Sequence, residues 1–186
     1  HLKLLKHYLE TSDSPYCIVM EDDVDISIAK YWNFTWNQFI ARLPYDYDVV
    51  QLAIICPGTL HVNLHRRFVN DFSTACYVIT RHHAEKIVRF HCRGDKYKLD
   101  YNIKPRAVAD DLIYNSGNTF AIPLFLYKIE LGSSIHDIHV DVFHRSSKCF
   151  GIKLAHLLGH GLDGVHADVA LQTVVVGAGL VFALES

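Results

Sequence analysis

The chain has 186 residues, 50% of them hydrophobic, 12% aromatic and 20% charged, which is one domain's worth of chain with material for a real core and excludes intrinsic disorder. Lys+Arg 18 against Asp+Glu 20 leaves a formal charge of -2, so there is no polybasic field for nucleic acid or acidic lipid. The five cysteines (Cys17, Cys56, Cys76, Cys92, Cys149) contain no CxxC pair, which argues against a zinc ribbon or a disulfide framework and for a reducing, intracellular setting.

In chain order, Leu2, Leu5, Tyr8 and Leu9 share one face of an opening helix that Ser12-Asp13-Ser14-Pro15 ends. Lys3 and Lys6 interrupt this start, so it does not read as a signal peptide. Tyr16 to Met20 is apolar on both faces, the mark of a strand covered on each side, and it runs straight into Glu21-Asp22-Asp23-Val24-Asp25. Lys30 to Leu43 predicts one amphipathic helix ended by Pro44. Asp48 to Ile55 and Thr74 to Ile79 predict two further buried strands, and Thr80 is placed to cap a helix running to about His91.

Arg93 to Lys104 is polar and reads as a loop. Asp110-Asp111 then opens a short helix, and Thr119 to Pro123 and Leu124 to Leu131 read as strands. Val169 to Leu184 is uncharged but for Glu185 beyond it, and at 16 residues it falls short of the ~20 that cross a bilayer, so no membrane span is expected. Beyond Gly151 acids and bases thin out. Residues 1–150 are therefore read as one α/β domain, strands alternating with helices, and 151–186 as a tail or appended element.

The acidic run carries the chemistry. Glu21, Asp22, Asp23 and Asp25 lie within five positions at the end of a buried strand, where mutual repulsion is costly without a cation. Open α/β sheets bind ligands at the carboxyl ends of their strands, and hard carboxylate oxygens suit Mg²⁺ or Mn²⁺. The competing reading is a solvated acidic turn.

Tyr16 to Asp25 resembles the strand and acidic metal motif of GT-A glycosyltransferases, and in particular of glycosyltransferase family 25, which spans lipooligosaccharide sugar transferases, collagen galactosyltransferases and relatives in large DNA viruses. Three more segments follow in the family's order. Asp48 to Leu52 is similar to its second core strand, Thr74 to Arg81 with Ala84-Glu85-Lys86-Ile87 to its strand and Ala-Glu-Lys helix, and Val108-Ala109-Asp110 to its short Pro-Val-Asp-like motif. His1-Leu2-Lys3 resembles the end of the family's Ser-His helix start. The family's first strand, which carries its nucleotide motif, has no counterpart, as expected of a chain preceded by further sequence.

The resemblance implies a GT-A-like, Rossmann-type mixed sheet flanked by helices, lacking its first strand. It also implies metal-dependent transfer of a sugar from a nucleotide-diphosphate donor, a UDP-sugar, to a glycan or glycoprotein hydroxyl with inversion. A divalent ion (Mn²⁺ or Mg²⁺) must then absorb the leaving group's charge, and a carboxylate must take the acceptor's proton. On this reading Asp23 is the direct metal ligand, with Glu21 and Asp25 supporting it and His136 completing the shell. Asp22 contacts the donor, and Arg66 and Arg67 meet diphosphate charge or form a solvated pair. Asp110, or its neighbour Asp111, is the base, with a plain helix cap as the alternative reading for Asp110. His139 and His144 share His136's candidacy, against an ordinary exposed strand. The implied location is the cytoplasm, or the host cytoplasm for a viral chain.

Two other classes stay open at this stage. Asp23-Val24-Asp25-Ile26-Ser27 also resembles the DxDx(T/S) nucleophile motif of haloacid dehalogenase phosphatases, in which Asp23 would attack phosphorus. A non-catalytic carbohydrate-binding domain is the other.

Overall fold

The structure is a computed structural model that describes residues 1–99, 108–127, 144–159, 172–176 and 179–183. Helix α1 (Leu2–Thr11) leads into β1 (Tyr16–Glu21), whose four central residues are all buried, as a strand covered on both faces requires. A two-residue turn, Asp22-Asp23, connects it to β2 (Val24–Asp25). The expected single helix over 30–43 is two pieces, a 3-10 turn at Ser27–Tyr31 and α2 (Trp36–Ala41). The break comes from Thr35, whose side chain accepts from Gln38 N at 3.2 Å while Gln38 Oε1 accepts from Thr35 N at 2.9 Å. This reciprocal capping box starts a new helix where periodicity alone suggests continuity.

Strand β3 (Val49–Gln51) is shorter than the apolar run 48–55: Leu52 N still bonds Cys76 O, and beyond it Ile55 pairs with Phe72 only as an isolated bridge. After β4 (His65–Arg66), β5 (Cys76–Thr80) runs into α3 (Arg81–His91), and Thr80 caps it by accepting from His83 N at 3.3 Å. The segment read as a loop forms a small hairpin, β6 (Cys92–Arg93) and β7 (Lys96–Tyr97), turning at Gly94 with φ 59°. Then come α4 (Ala109–Tyr114), β8 (Thr119–Ala121), β9 (Leu126–Tyr127) and α5 (Arg145–Gly159). A last pair, β10 (Gln172–Val176) and β11 (Gly179–Ala183), pairs antiparallel with itself and, through β11, with β1. Helix α5 thus runs across position 150, and the chain beyond it returns to the main sheet.

That sheet has the order β10-β11-β1-β5-β3-β8-β4, mixed parallel and antiparallel. β5 is antiparallel to both β1 and β3, and β3 is parallel to β8. Strands β1, β3 and β8 therefore point the same way, and their carboxyl ends share one edge with the start of β5. Cys17, Val19, Val49, Tyr77 and Ile79 face α1, α3 and α4, while Ile18, Met20, Val50, Val78 and Phe120 face α2 and β9. The two faces alternate with the period of two that a pleated strand imposes. The molecule is a mixed α/β sheet with helices on both sides. Among the described residues no helix is long and apolar enough to cross a membrane.

Candidate functional site

The shared edge collects the polar residues. Glu21 ends β1, Gln51 ends β3, and Ser73-Thr74 lead into β5. Gln51 is fully buried in an otherwise apolar strand and must be satisfied there. Its amide donates to Phe72 O at 2.7 Å, Ser73 O at 3.0 Å and Ala53 O at 3.2 Å, and its Oε1 accepts from Arg67 Nε at 3.2 Å.

Ser73 is the hub. It takes φ 98°, a left-handed conformation rare for a residue with a Cβ. Its N–H donates to Asp110 Oδ1 at 2.6 Å, and its carbonyl accepts from Tyr114 Oη at 2.8 Å as well as from Gln51. Its hydroxyl accepts from Ala75 N at 2.9 Å and from the Tyr127 hydroxyl.

Asp110, in the first turn of α4, is not the helix cap, a position held by Val108. Its carboxylate faces Ser73 and the nearly buried Arg67 guanidinium at 3.7 Å, which lies over the Tyr114 ring at 4.6 Å. Burial pushes the Asp110 carboxyl above the usual aspartate range, against the pull of the Ser73 N–H and Arg67. A start of helix alone leads one to expect the reverse direction; desolvation outweighs it here. Asp111 is buried and accepts from Asn115 Nδ2 at 3.1 Å one turn on within α4.

Glu21, Asp22, Asp23 and Asp25 stand at the carboxyl end of β1, in the turn after it and in β2. Burial raises Glu21 too, opposed by a hydrogen bond from Thr74. Its Oε1 lies 3.2 Å from His1 Nε2, which is also 3.1 Å from Thr74 Oγ1, while His1 Nδ1 is 3.1 Å from the Tyr77 hydroxyl. Asp23 is half-buried; burial above all holds the Tyr127 hydroxyl protonated, against the pull of its Ser73 hydrogen bond, with the charges of Asp23 and Glu21 adding to burial. Asp22 is exposed at the turn. Asp25 is half-buried, and its Oδ1 accepts from Ser27 N at 2.8 Å, closing the next turn of backbone.

The fold separates the two arginines. Arg67 joins the α4 face, whereas Arg66, one position earlier and so on the opposite face, stacks over Phe120 at 5.4 Å and donates to Asn118 Oδ1 at 2.8 Å. His136 and His139 lie outside the described residues. His144 packs edge-on against the Tyr127 ring at 5.4 Å.

The structure thus joins Asp110 to Ser73 with Arg67 facing it, sets Glu21 near His1 and Thr74, lets the charge of Asp23 act on Tyr127, and leaves Arg66 and Asp111 out of that group. Sequence reasoning missed Ser73, Tyr127, Gln51 and Tyr114. Gln51 was findable as a lone polar residue in a buried strand; the left-handed Ser73 stands where sequence rules expect glycine. Among the described residues no three His, Cys, Asp or Glu side chains form a group able to hold a metal ion alone. Glu21 and Asp23 are hard carboxylates, the donor type that Mg²⁺ and Mn²⁺ take. No family model, curated protein or solved structure matches the chain.

Proposed function

We propose that the chain is a metal-dependent glycosyltransferase of the GT-A, family 25 type, moving a sugar from a nucleotide-diphosphate donor, UDP-linked, to a hydroxyl of a glycan or glycoprotein with inversion. The observation that supports it is the convergence on Ser73. Asp110 accepts from the Ser73 N–H, and the Ser73 hydroxyl accepts from Tyr127, on which the charges of Asp23 and Glu21 act, so the candidate base and the acids after β1 are linked to one residue through different partners. An inverting transfer needs that division, with a base on one side and leaving-group stabilisation on the other.

A bound divalent ion would supply charge neutralisation at the diphosphate, held by Asp23 and Glu21. The chain's own residues do the rest. Asp110 takes the acceptor's proton; its raised pKa makes it a stronger base than a solvated aspartate. Arg67 keeps Asp110 oriented from its seat on Tyr114 and Gln51. Tyr127 donates its proton to the Ser73 hydroxyl and so helps hold the residue whose N–H Asp110 accepts.

The test is calorimetry with UDP, UDP-glucose and GDP-mannose, each with and without Mn²⁺. Binding that requires both nucleotide and metal, and that Asp23→Asn abolishes without lowering the melting temperature, is the expected result. Donor affinity unchanged in Asp23→Asn, or metal-dependent phosphate release from a generic ester, sinks the reading; the latter outcome points to the phosphatase.

A further inference from the structure

The chain between β3 and β5 builds a second feature at the same edge of the sheet. His65, the first residue of β4, pairs with Ala121, the last of β8, so it stands at the carboxyl edge. Both of its ring nitrogens are tied: Nδ1 lies 2.7 Å from Asn63 O and Nε2 3.1 Å from Asp71 Oδ2. The same Asp71 oxygen accepts from Phe68 N at 2.7 Å, and Asp71 is only 2% exposed. Phe68 stacks on His65 with centroids 5.1 Å apart and planes 24° from parallel, and His61 closes the cluster at 5.3 Å from Phe68 and 5.4 Å from His65.

Burying a carboxylate costs free energy that hydrogen bonds must offset. Here the bonds fix the backbone of Phe68 and the His65 ring on which its phenyl ring stacks, and that ring is itself 51% exposed, next in the chain to Val69 at 71%. Burial in a core does not account for a large apolar ring immobilised in water. With His65 against one face of Phe68, much of the ring is left open to solvent.

We propose that Phe68, flanked by His61, is a stacking platform for a neutral pyranose ring of the acceptor glycan. The C–H face of a pyranose carries slight positive charge and apolar area that match the negative face of an aromatic ring, while the His61 imidazole edge can meet the hydroxyls around its rim. The platform adjoins the candidate base by two routes. Arg67, the neighbour of Phe68 in the chain, reaches Asp110, and the turn from Phe68 to Ser73 is closed by Asp71 N donating to Phe68 O at 3.1 Å. A full extension of that turn spans about 18 Å at most, so one acceptor chain can bridge platform and base. That the sugar is an acceptor rests on the transferase reading; that the platform binds a sugar does not.

The experiment is saturation-transfer NMR with lactose, maltose and α-1,2-mannobiose on the whole chain, alongside the imidazole Cε1–H resonances of His61 and His65. The expected result is saturation of ring C–H protons of at least one sugar and perturbation of both histidines. In Phe68→Ala affinity should fall about tenfold, and Phe68→Trp should keep it. No saturation from any of the three sugars, or an affinity unchanged in Phe68→Ala, overturns the proposal. So does perturbation of the two histidines by uridine diphosphate alone, which would assign the platform to the donor's base. The histidine resonances report on the unsubstituted protein, so a variant that fails to fold does not remove the test. Sugar binding without any nucleotide binding would sink the transferase reading and leave the platform standing.

Discussion

Ser73 occupies a backbone region that costs a residue with a Cβ about 1–2 kcal/mol, and every polar atom it owns is engaged. Two substitutions separate the backbone from the hydroxyl. Ser73→Ala keeps the conformational cost and strands the buried Tyr127 hydroxyl, which should lower stability by about 1–3 kcal/mol. Ser73→Gly strands the same hydroxyl but relieves φ, so it should be the more stable of the two by about 1 kcal/mol in urea melts. Equal midpoints would mean that the left-handed geometry carries no cost. At Asp110, replacement by Asn should leave UDP and Mn²⁺ affinity within about twofold while cutting turnover by ~10²–10⁴. In the unsubstituted protein the rate should rise with pH through the raised pKa of Asp110, and the Asn variant should lose that acid limb. Loss of donor binding in Asp110→Asn would place this carboxylate on the donor and move the base elsewhere.

Among the elements, β1, β3, β5 and β8 with α1 and α3 were legible because their signals are periodic and local: apolar on two faces for 16–20, a capping threonine and helical spacing for 81–91. The split of the helix expected over 30–43 was legible in principle too, since Thr35 and Gln38 stand at capping-box spacing, but an unbroken apolar stripe masks a cap inside it. Thr35→Ala should cost about 1 kcal/mol, read from thermal or urea melts. The site was legible only as its acids. That Arg67 and not Arg66 joins them depends on which face of β4 packs under α4, and Ser73 and Tyr127 enter through pairings distant in the chain that no local pattern encodes.

The joint between α3 and β8 shows another such dependence. His83 is fully buried, with Nε2 3.0 Å from Ile113 O, and burial lowers its pKa. In the folded state it thus resists the proton that the unfolded chain accepts below about pH 6.5, so stability should be full above that pH and fall as pH drops toward the folded pKa. His83→Gln should flatten this part of the pH–stability curve; an unchanged slope would assign it to other groups. A Cβ on Gly117 would stand 2.5 Å from His83 Cε1 and 2.8 Å from Asp48 Cβ and Oδ2, and Asp48 Oδ2 is already fixed by Asn118 N at 2.8 Å. Gly117→Ala should therefore destabilise by about 1–3 kcal/mol in the same melts.

At the scale of the molecule, the one reversed strand among β1, β5, β3 and β8 decides where the site's parts come from. Because β5 runs against its neighbours, the edge takes its residues from two strand ends, one strand start, a helix and the short strand β9, at positions 21, 23, 51, 73, 110 and 127. None of these contacts is local, and closing such loops is what slows folding. The site can exist only after the sheet has closed, so its residues should protect against hydrogen exchange together and at the free energy of global unfolding. A nucleotide with its metal would then have nothing to grip in a partly folded chain. It should slow unfolding and leave the refolding rate unchanged, which makes ligand occupancy a measure of kinetic persistence and not of folding speed.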